Sequence, residues 1–242
     1  MLQLLEQVAW DELKMAARSI TADEEVILEG DEIDSTLWVL DGWFGSSKTF
    51  EDGRRQLVDI FVPVDVISPT AADGTTSIVG VSALTDGVIA VSDSNVFPKK
   101  SGGVVNLAGL ADQLRAAAVA RQTERMVKIG QGTAYECVAH VVMEFLLRLP
   151  TNGSTRDETF VLPITQHVLG DLTGLTNVHI CRTLRRLERN GIIEQSEDAI
   201  TVKKPHELAE VAQLDQKLFA KAILPPDPTR LVARKCQSPA EG

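Results

Sequence analysis

Two kinds of hydrophobic spacing divide the chain. From Glu25 to Val96, brief apolar runs alternate with turn residues, which is typical of β-strands joined by tight turns. From Asn106 onward, apolar residues recur every three or four positions, which predicts helices. The same helical spacing over Met1 to roughly Arg18 predicts a short amphipathic helix ahead of the β-rich stretch.

Six strands are predicted in the β-rich stretch. They cover residues 26–28, 36–40, 43–50, 56–61, 77–84 and 88–92. Glu51-Asp52-Gly53 marks a hairpin turn between the third and the fourth of them. Short strands at this spacing predict a small antiparallel roll or barrel.

Two helices are predicted after the roll. The first runs from Asn106 to Ile129, and its apolar residues recur alternately three and four positions apart, at Leu107, Leu110, Leu114 and Ala117. This spacing indicates the seam of a two-helix contact, although the alternative is that the stripe packs on the roll of its own chain. The second helix, Thr133 to Leu149, turns Val138, Val141, Val142, Phe145 and Leu146 inward.

The most informative stretch, Pro163 to Val202, predicts a winged helix-turn-helix. Its apolar positions are Leu169 and Leu172 in a first helix and Ile180, Leu184 and Leu187 in a second. Gly174 permits the sharp turn between them, and Thr176 caps the second helix. Gly191 ends that helix, and two short strands around the polar tip Glu194–Asp198 then form the wing.

The solvent face of the second helix suits the major groove of DNA. It presents Asn177, Arg182, Arg185 and Arg189. The net charge of −10 does not contradict this, because the excess of acid lies within residues 1–149, which hold 22 Asp or Glu and 12 Lys or Arg. In the second helix, four arginines (182, 185, 186 and 189) outweigh Glu188, so a local patch of +3 faces phosphate.

At these residues the chain resembles a known family. Thr165 to Val202 resembles the DNA-binding domain of the cyclic-AMP receptor protein and fumarate-nitrate reduction regulator superfamily, Crp/Fnr. The run from Gly174 to Leu184 is similar to a form frequent among alphaproteobacterial members. The turn at 29–31 and the hairpin at 51–56 resemble the sensor domain of that family. The resemblance implies an α+β protein with an N-terminal antiparallel double-stranded β-helix, a long dimerisation helix and a C-terminal winged helix-turn-helix.

The implied division of the chain has four parts. They are a sensor roll at 1–105, a dimerisation helix at 106–130, the DNA-binding domain at 131–224 and a loosely ordered tail at 225–242. The implied partners are a second copy of the chain, double-stranded DNA carrying a palindromic site, and RNA polymerase as a candidate. The dimer contact is expected at the stripe Leu107, Leu110, Leu114 and Ala117.

Reading roles follow from position and side-chain chemistry. Arg182 matches the arginine of the family that reads guanine, because its fork of donors fits guanine O6 and N7. Asn177, Val178 and Cys181 are the other expected base-reading positions, with Val178 suited to a thymine methyl group. Phosphate contacts are expected from Thr165, Gln166, His179 and Arg185, which would fix register without specifying sequence.

The sensor domain lacks the groups that usually bind an effector. At the positions where family members hold cyclic nucleotides, this chain carries Gly80-Val81 and Val88-Ile89-Ala90, and no Lys or Arg lies between Arg55 and Lys99. A cyclic phosphate would lack a cationic partner, which argues against gating by cyclic AMP. The first Cys and His are Cys137 and His140, beyond the roll, so we expect no iron–sulfur, haem or metal cofactor and no enzyme activity. An apolar or neutral effector remains open.

Cys181 allows two interpretations. It is either a small groove-facing side chain, or an oxidisable thiol activated by Arg182 and Arg185 whose oxidation would block DNA binding. With three cysteines and no metal-type spacing, neither a disulfide framework nor a zinc finger is indicated. No apolar run is long enough for a bilayer, so we expect a cytoplasmic protein. The competing functions are a ligand-gated regulator of the same fold and a protein-interaction module without DNA binding.

Overall fold

The computed structural model describes residues 17–68, 74–93, 107–149, 158–197 and 199–224. These residues form two compact units, the first drawn from 17–44 and 61–118 and the second from 45–60 and 119–223. The predicted N-terminal helix falls mostly outside the described residues. Its expected end at Arg18 is wrong, because Ala17 and Arg18 already belong to a β-strand. The predicted tail at 225–242, with Cys236, also lies outside them.

Eight strands build the N-terminal sheets. They are β1 Ala17–Ile20, β2 Glu25–Ile27, β3 Ser35–Asp41, β4 Phe44–Thr49, β5 Arg55–Phe61, β6 Val66–Ile67, β7 Gly80–Ala83 and β8 Gly87–Asp93. One sheet has the order β1-β8-β3-β6 and the other the order β2-β7-β4-β5. The six predicted strands correspond to β2, β3, β4, β5, β7 and β8. β6 was missed because two residues show no periodicity, and β1 because it begins inside the expected helix.

Strand β3 is buried on both faces, and its side chains divide between two clusters. Trp38 lies opposite Ala90 of β8, and Val39 lies opposite Ile89. Val39 and Ile89 belong to the main apolar core of the N-terminal strands. Trp38 and Ala90 belong to a second apolar cluster on the outer face of the sheet. Because successive strand residues point to opposite faces, one strand can serve both clusters. The outer face therefore needs a cover.

A long helix, α1 Leu107–Gln131, supplies that cover. Its Leu110 and Leu114 pack against Trp38 in the outer cluster and are 2% and 3% exposed. Ala117 is equally buried. The prediction that Leu110, Leu114 and Ala117 form the dimer seam is therefore wrong, because this stripe is part of the core of its own protomer. The side chain of Leu107 lies outside the described residues.

The C-terminal part is a set of short helices and one small sheet. The helices are α2 Ala134–Arg148, α3 Gln166–Thr173, α4 Asn177–Arg189, α5 Pro205–Val211 and α6 Gln216–Ile223, and the strands are β9 Glu158–Val161, β10 Ile193–Gln195 and β11 Ala199–Val202. The five inward residues predicted for α2 are buried. Strand β9, which pairs with β11 and completes a three-stranded sheet, was not predicted. Nor were α5 and α6.

A buried ionic cluster joins β5, α1 and α2 in the second unit. We define it as Asp59, Arg121, Arg125, Glu144 and Arg148, whose side chains are at most 3% exposed. Arg121 and Arg125 donate to Asp59 at 3.0 and 3.2 Å, and Arg125 also donates to Glu144 at 2.9 Å. Arg148 donates to Glu144 at 2.6 Å. The cluster joins the C-terminal half of α2, which carries Glu144 and Arg148, to the C-terminal half of α1 and to Asp59 of β5.

Attraction within the buried ionic cluster keeps its carboxylates ionised. Burial by itself would raise the pKa of Asp59, but the charges of Arg121, Arg125 and Arg148 outweigh burial and lower that pKa to about 2. For Glu144, burial is likewise opposed by Arg125 and Arg148, and its pKa is lowered. Both carboxylates of the cluster are therefore ionised at neutral pH.

Candidate nucleic-acid interface

The helix-turn-helix is built by local sequence signals at α3 and α4. Thr165 caps α3, since its hydroxyl oxygen accepts from Val168 N at 3.3 Å. Thr176 caps α4 in the same way, accepting from His179 N at 3.4 Å. Gly174 ends α3 with φ +70°, a left-handed conformation that glycine adopts without strain. These caps confirm the predicted start of α4 and the predicted turn.

Close approach of backbone sets the angle between α3 and α4. A Cβ atom added at Gly170 would lie 2.6 Å from Leu175 O and 3.4 Å from Asn177 Oδ1. Glycine at 170 therefore lets the turn fold back onto α3. On the other side of α4, Ile180, Leu184 and Leu187 are buried in the core, as predicted. The remaining face of α4 is left for a ligand.

That face forms one open concave surface, which we call the reading surface. It is lined by Gln166 from α3 and by Asn177, Val178, Cys181, Arg182, Arg185, Glu188 and Arg189 from α4. Val178 is 63% exposed, and Cys181 is partly buried with a free thiol. The structure thus brings together all four expected base-reading residues with two expected phosphate contacts, Gln166 and Arg185.

The arginines of the reading surface have no acidic partners among the described residues. In the described part of the chain, Arg182, Arg185 and Arg189 make no ion pair, so three guanidinium groups face solvent. Exposed cations without a carboxylate partner are available to an anion such as phosphate. Arg182, Arg185 and Arg189 face solvent as predicted, but Arg186 does not line the reading surface.

Arg186 instead contacts the first turn of α2. Its guanidinium lies 4.1 Å from the centroid of the Tyr135 ring, and Asn190 Nδ2 donates to Tyr135 Oη at 2.9 Å. His179 lies on this flank as well, where Tyr135, Arg186 and Glu210 line a second groove. Of the expected phosphate contacts, His179 lines this second groove and Thr165 is the N-cap of α3, and neither lines the reading surface. Tyr135 was missed, since nothing local connects it to α4.

The wing carries little free positive charge. Lys203 pairs with Glu194 at 3.0 Å, and Lys204 pairs with Glu207 at 2.9 Å. Glu197 at the tip is exposed. The wing therefore adds little free positive charge to that of the α4 arginines.

Two residues of strand β5 contact the C-terminal part of α3. Arg55 Nη2 lies 2.8 Å from Asp171 Oδ2, and Gln56 Nε2 donates to Asp171 O at 2.6 Å. These contacts lie within the second compact unit. Sequence analysis noted the hairpin that carries these residues but not its contact with α3, because the partners are more than a hundred positions apart.

Known proteins match both parts of the chain. A profile described as the Crp-like helix-turn-helix domain matches residues 142–211, and one described as the cyclic nucleotide-binding domain matches residues 17–100. A probable transcriptional activator of Rhizobium leguminosarum bv. viciae is 31% identical over 180 residues, which are 73% of this chain and 72% of that protein. The chain belongs to the Crp/Fnr family. It is a DNA-binding transcriptional regulator of the α+β fold that its sequence predicts.

Further relatives agree with this membership. The transcriptional activator protein FnrL of Cereibacter sphaeroides is 28% identical over 179 residues, covering 73% of this chain and 71% of that protein. The solved structure of FixK2 from Bradyrhizobium japonicum superposes with a TM-score of 0.69 at 26% identity, covering 81% of this chain and 96% of that one. The similarity thus spans both the sensor roll and the helix-turn-helix.

Two apolar side chains of β7 and β8 lie in the core of the N-terminal roll. Val81 is 1% exposed and Ile89 is fully buried, and both pack with Phe44 and Phe61 in the core of the roll. Among the described residues, no group of three or more His, Cys, Asp or Glu side chains is arranged to hold a metal ion. Nor does any described helix have the length and apolar character needed to cross a bilayer.

Proposed function

We propose that this regulator acts as a homodimer that reads a palindromic DNA site without gating by cyclic AMP. The observation that carries the proposal is the reading surface, where three unpaired arginines surround Val178 and Cys181. Such a helix lies in the major groove with its cations toward phosphate and its small side chains toward base edges. We assign the chain no catalytic activity, place it in the cytoplasm, and name RNA polymerase as a candidate partner.

The roles within the reading surface follow from side-chain chemistry. Arg182 reads guanine through O6 and N7, while Val178 contacts a thymine methyl group and Asn177 and Cys181 contact neighbouring base edges. Arg185 and Gln166 hold phosphates on the same surface, with His179 and Thr165 reaching phosphates from its margin. The functional division remains a sensor at 1–105, a dimerisation helix at 106–130, a DNA-binding domain at 131–224 and a tail at 225–242.

The dimer contact is reassigned to the opposite face of α1. Val119 is 61% exposed and Met126 is 67% exposed, and together with Ala116, Thr123 and Gly130 they recur three and four positions apart. This is the spacing of a two-helix seam, and large exposed apolar side chains in one row indicate a protein contact. Two copies of the chain, aligned along this stripe, place two reading helices for two half-sites about one helical turn, roughly 10 bp, apart.

Introducing a negative charge into the stripe tests the dimer. Val119→Glu and Met126→Glu are expected to give monomers in sedimentation at micromolar concentration, and to lose binding to the palindrome. Leu218→Glu is the matched control, because Leu218 is 66% exposed on α6 and away from the stripe. A wild-type protein that is monomeric both alone and on DNA would contradict the proposal, as would equal behaviour of the three variants.

The absence of gating is tested by thermal melting. A ligand at about 100 times its dissociation constant stabilises a protein by about 2.7 kcal/mol, so saturating cyclic AMP would raise the melting temperature visibly if it bound. We expect no shift and no change in DNA affinity, because apolar Val81 and Ile89 occupy the aligned site. A clear upward shift would show that the nucleotide binds without the usual arginine.

A further inference from the structure

Tyr135 makes two directional contacts with the recognition helix. Its ring lies beneath the guanidinium of Arg186, 4.1 Å from the centroid, and its hydroxyl accepts from Asn190 Nδ2 at 2.9 Å. Arg186 and Asn190 are four positions apart, so both lie on the same side of α4, one turn apart. One side chain of α2 thus holds the C-terminal end of α4 at two points.

The base of this contact is itself fixed. Thr133 and Glu136 form a reciprocal capping box at the start of α2, with Thr133 N donating to Glu136 Oε2 at 2.6 Å. Gln213 Nε2 also donates to Glu136, and Lys128 Nζ donates to Gln213 O at 3.4 Å. The first turn of α2 is therefore bound to Gln213 after α5, which in turn accepts from Lys128 of α1. Tyr135 thus projects from a turn that is capped and held by a neighbouring segment.

Apolar packing defines the orientation of α4 less precisely than the two directional contacts of Tyr135 do. Ile180, Leu184 and Leu187 keep the helix against the core, but hydrophobic contact is not directional and tolerates small rotations. Base readout needs side chains held within about 0.5 Å and 10–20° of their working geometry. A hydrogen bond and a stacked guanidinium supply direction that the core does not.

We propose that Tyr135 is a positioning residue for base readout, which holds α4 through Arg186 and Asn190 and thereby removes Arg186 from phosphate binding. The four arginines of α4 then divide into two groups. Arg182, Arg185 and Arg189 face the reading surface, while Arg186 serves as a structural contact. The proposal rests on DNA readout by this helix, since a protein that does not discriminate between sequences has no readout to position.

The first test measures the ratio of affinities for the selected palindrome and for random DNA. Tyr135→Leu removes both contacts and is expected to lower this ratio by roughly three- to tenfold, consistent with the loss of one hydrogen bond and one exposed cation–π contact. Tyr135→Phe keeps the ring and should retain most of the ratio. An unchanged ratio in a folded Tyr135→Leu protein overturns the proposal, whereas a wild-type ratio near one contradicts the function on which it rests.

A double-mutant cycle keeps the proposal testable if Tyr135→Leu does not fold. Tyr135→Phe and Asn190→Ala each remove the same hydrogen bond, so each should lower the specificity ratio slightly and the double variant should lower it no further. Additive losses of the specificity ratio, or no loss from either variant, would show that this hydrogen bond does not position α4.

The salt dependence of binding distinguishes the two neighbouring arginines. Arg185→Gln is expected to reduce the slope of log affinity against log salt by about 0.9, the value for one lost phosphate contact. Arg186→Gln should leave that slope nearly unchanged and lower the specificity ratio instead, as Tyr135→Leu does. Equal reductions in slope for the two variants would show that Arg186 binds phosphate, and the proposal would be wrong.

Discussion

Arginine serves opposite purposes in two regions of the second unit. In the buried ionic cluster, Arg121, Arg125 and Arg148 are at most 3% exposed and are held by Asp59 and Glu144. On the reading surface, Arg182 and Arg185 are exposed and make no ion pair in the described part of the chain. A charge taken out of water needs a fixed partner, and a charge meant for a ligand must remain in water. In these two sets, the buried arginines stabilise the fold and the exposed arginines without an ion pair are available to a ligand, whereas exposed Arg186 is held by Tyr135.

The largest effect is expected when the buried ionic cluster loses a carboxylate. Glu144→Gln leaves three buried arginines with Asp59 as their acidic partner in the cluster, which should lower the free energy of unfolding by about 3–5 kcal/mol. The control is Glu194→Gln, which breaks the exposed pair with Lys203 and should cost at most about 1 kcal/mol. Urea titrations of both variants measure the difference. Similar losses in the two variants would show that burial does not determine how much an ion pair contributes to the free energy of unfolding.

Acid should destabilise the protein through His140 before it affects the buried ionic cluster. Burial lowers the pKa of His140 to about 4, against the partly opposing charge of Glu144, and Arg125 and Lys128 lower it further. The unfolded chain, with a pKa near 6.5, binds the proton first, so stability falls between about pH 6.5 and 4, by up to roughly 3 kcal/mol. Asp59, with a pKa of about 2, adds a loss only below about pH 4.

Replacing His140 by Phe separates these two acid transitions. Phe fits beside Phe219, whose ring centroid lies 4.9 Å from that of His140. The variant should keep its stability between pH 6.5 and 4 and still lose it at lower pH. Unfolding curves at several pH values test this expectation, and an unchanged loss between pH 6.5 and 4 in the variant would assign that loss to other groups.

On the reading surface, a single arginine should affect binding and not folding. Arg182→Ala is expected to cost about 1–3 kcal/mol of affinity and to relax the preference for one G·C pair in each half-site. Arg185→Ala should weaken all sequences alike and reduce the salt slope. Selection from random DNA with each variant distinguishes the roles. An unchanged consensus for Arg182→Ala would show that another side chain reads that base pair.

The smallest effect concerns Cys181, which lies among these exposed arginines. Mild peroxide should weaken DNA binding by the wild type, because an oxidised sulfur adds bulk where the helix meets base edges, and reductant should restore binding. Cys181→Ser should bind normally and ignore peroxide. Cys137 serves as an internal control, since it is buried and burial raises its pKa. Equal peroxide sensitivity of wild type and Cys181→Ser would leave Cys181 as a small groove-facing side chain.

Local signals allowed the two helices of the helix-turn-helix, the turn between them and the two strands of the wing to be predicted. The caps Thr165 and Thr176, the left-handed Gly174 and the spacing of the buried residues act within a few positions of one another. The assignment of roles on the reading surface stays a prediction, because sequence and fold place these side chains without showing what they touch.

Contacts between distant residues were not predictable in the same way. Helix α1 carries two stripes with the same spacing, and periodicity cannot tell which one meets the sheet and which one stays exposed. The stripe that meets the sheet is the one that packs against Trp38, whose apolar side chain points outward from β3. Likewise, Arg125 lies 66 positions from Asp59, and Tyr135 lies 55 positions from Asn190, so no local pattern connects them.

The pairing of the wing lysines affects how the regulator searches a chromosome. Because Lys203 and Lys204 pair with Glu194 and Glu207, these two lysines contribute little to the displacement of counterions from arbitrary DNA. Residence on any random sequence is then brief, and a larger share of the molecules is free to sample new sites. Occupancy of a promoter depends on the ratio of specific to non-specific affinity multiplied over the competing sites of the genome. Pairing of these lysines therefore limits the non-specific affinity that competes with binding to the promoter.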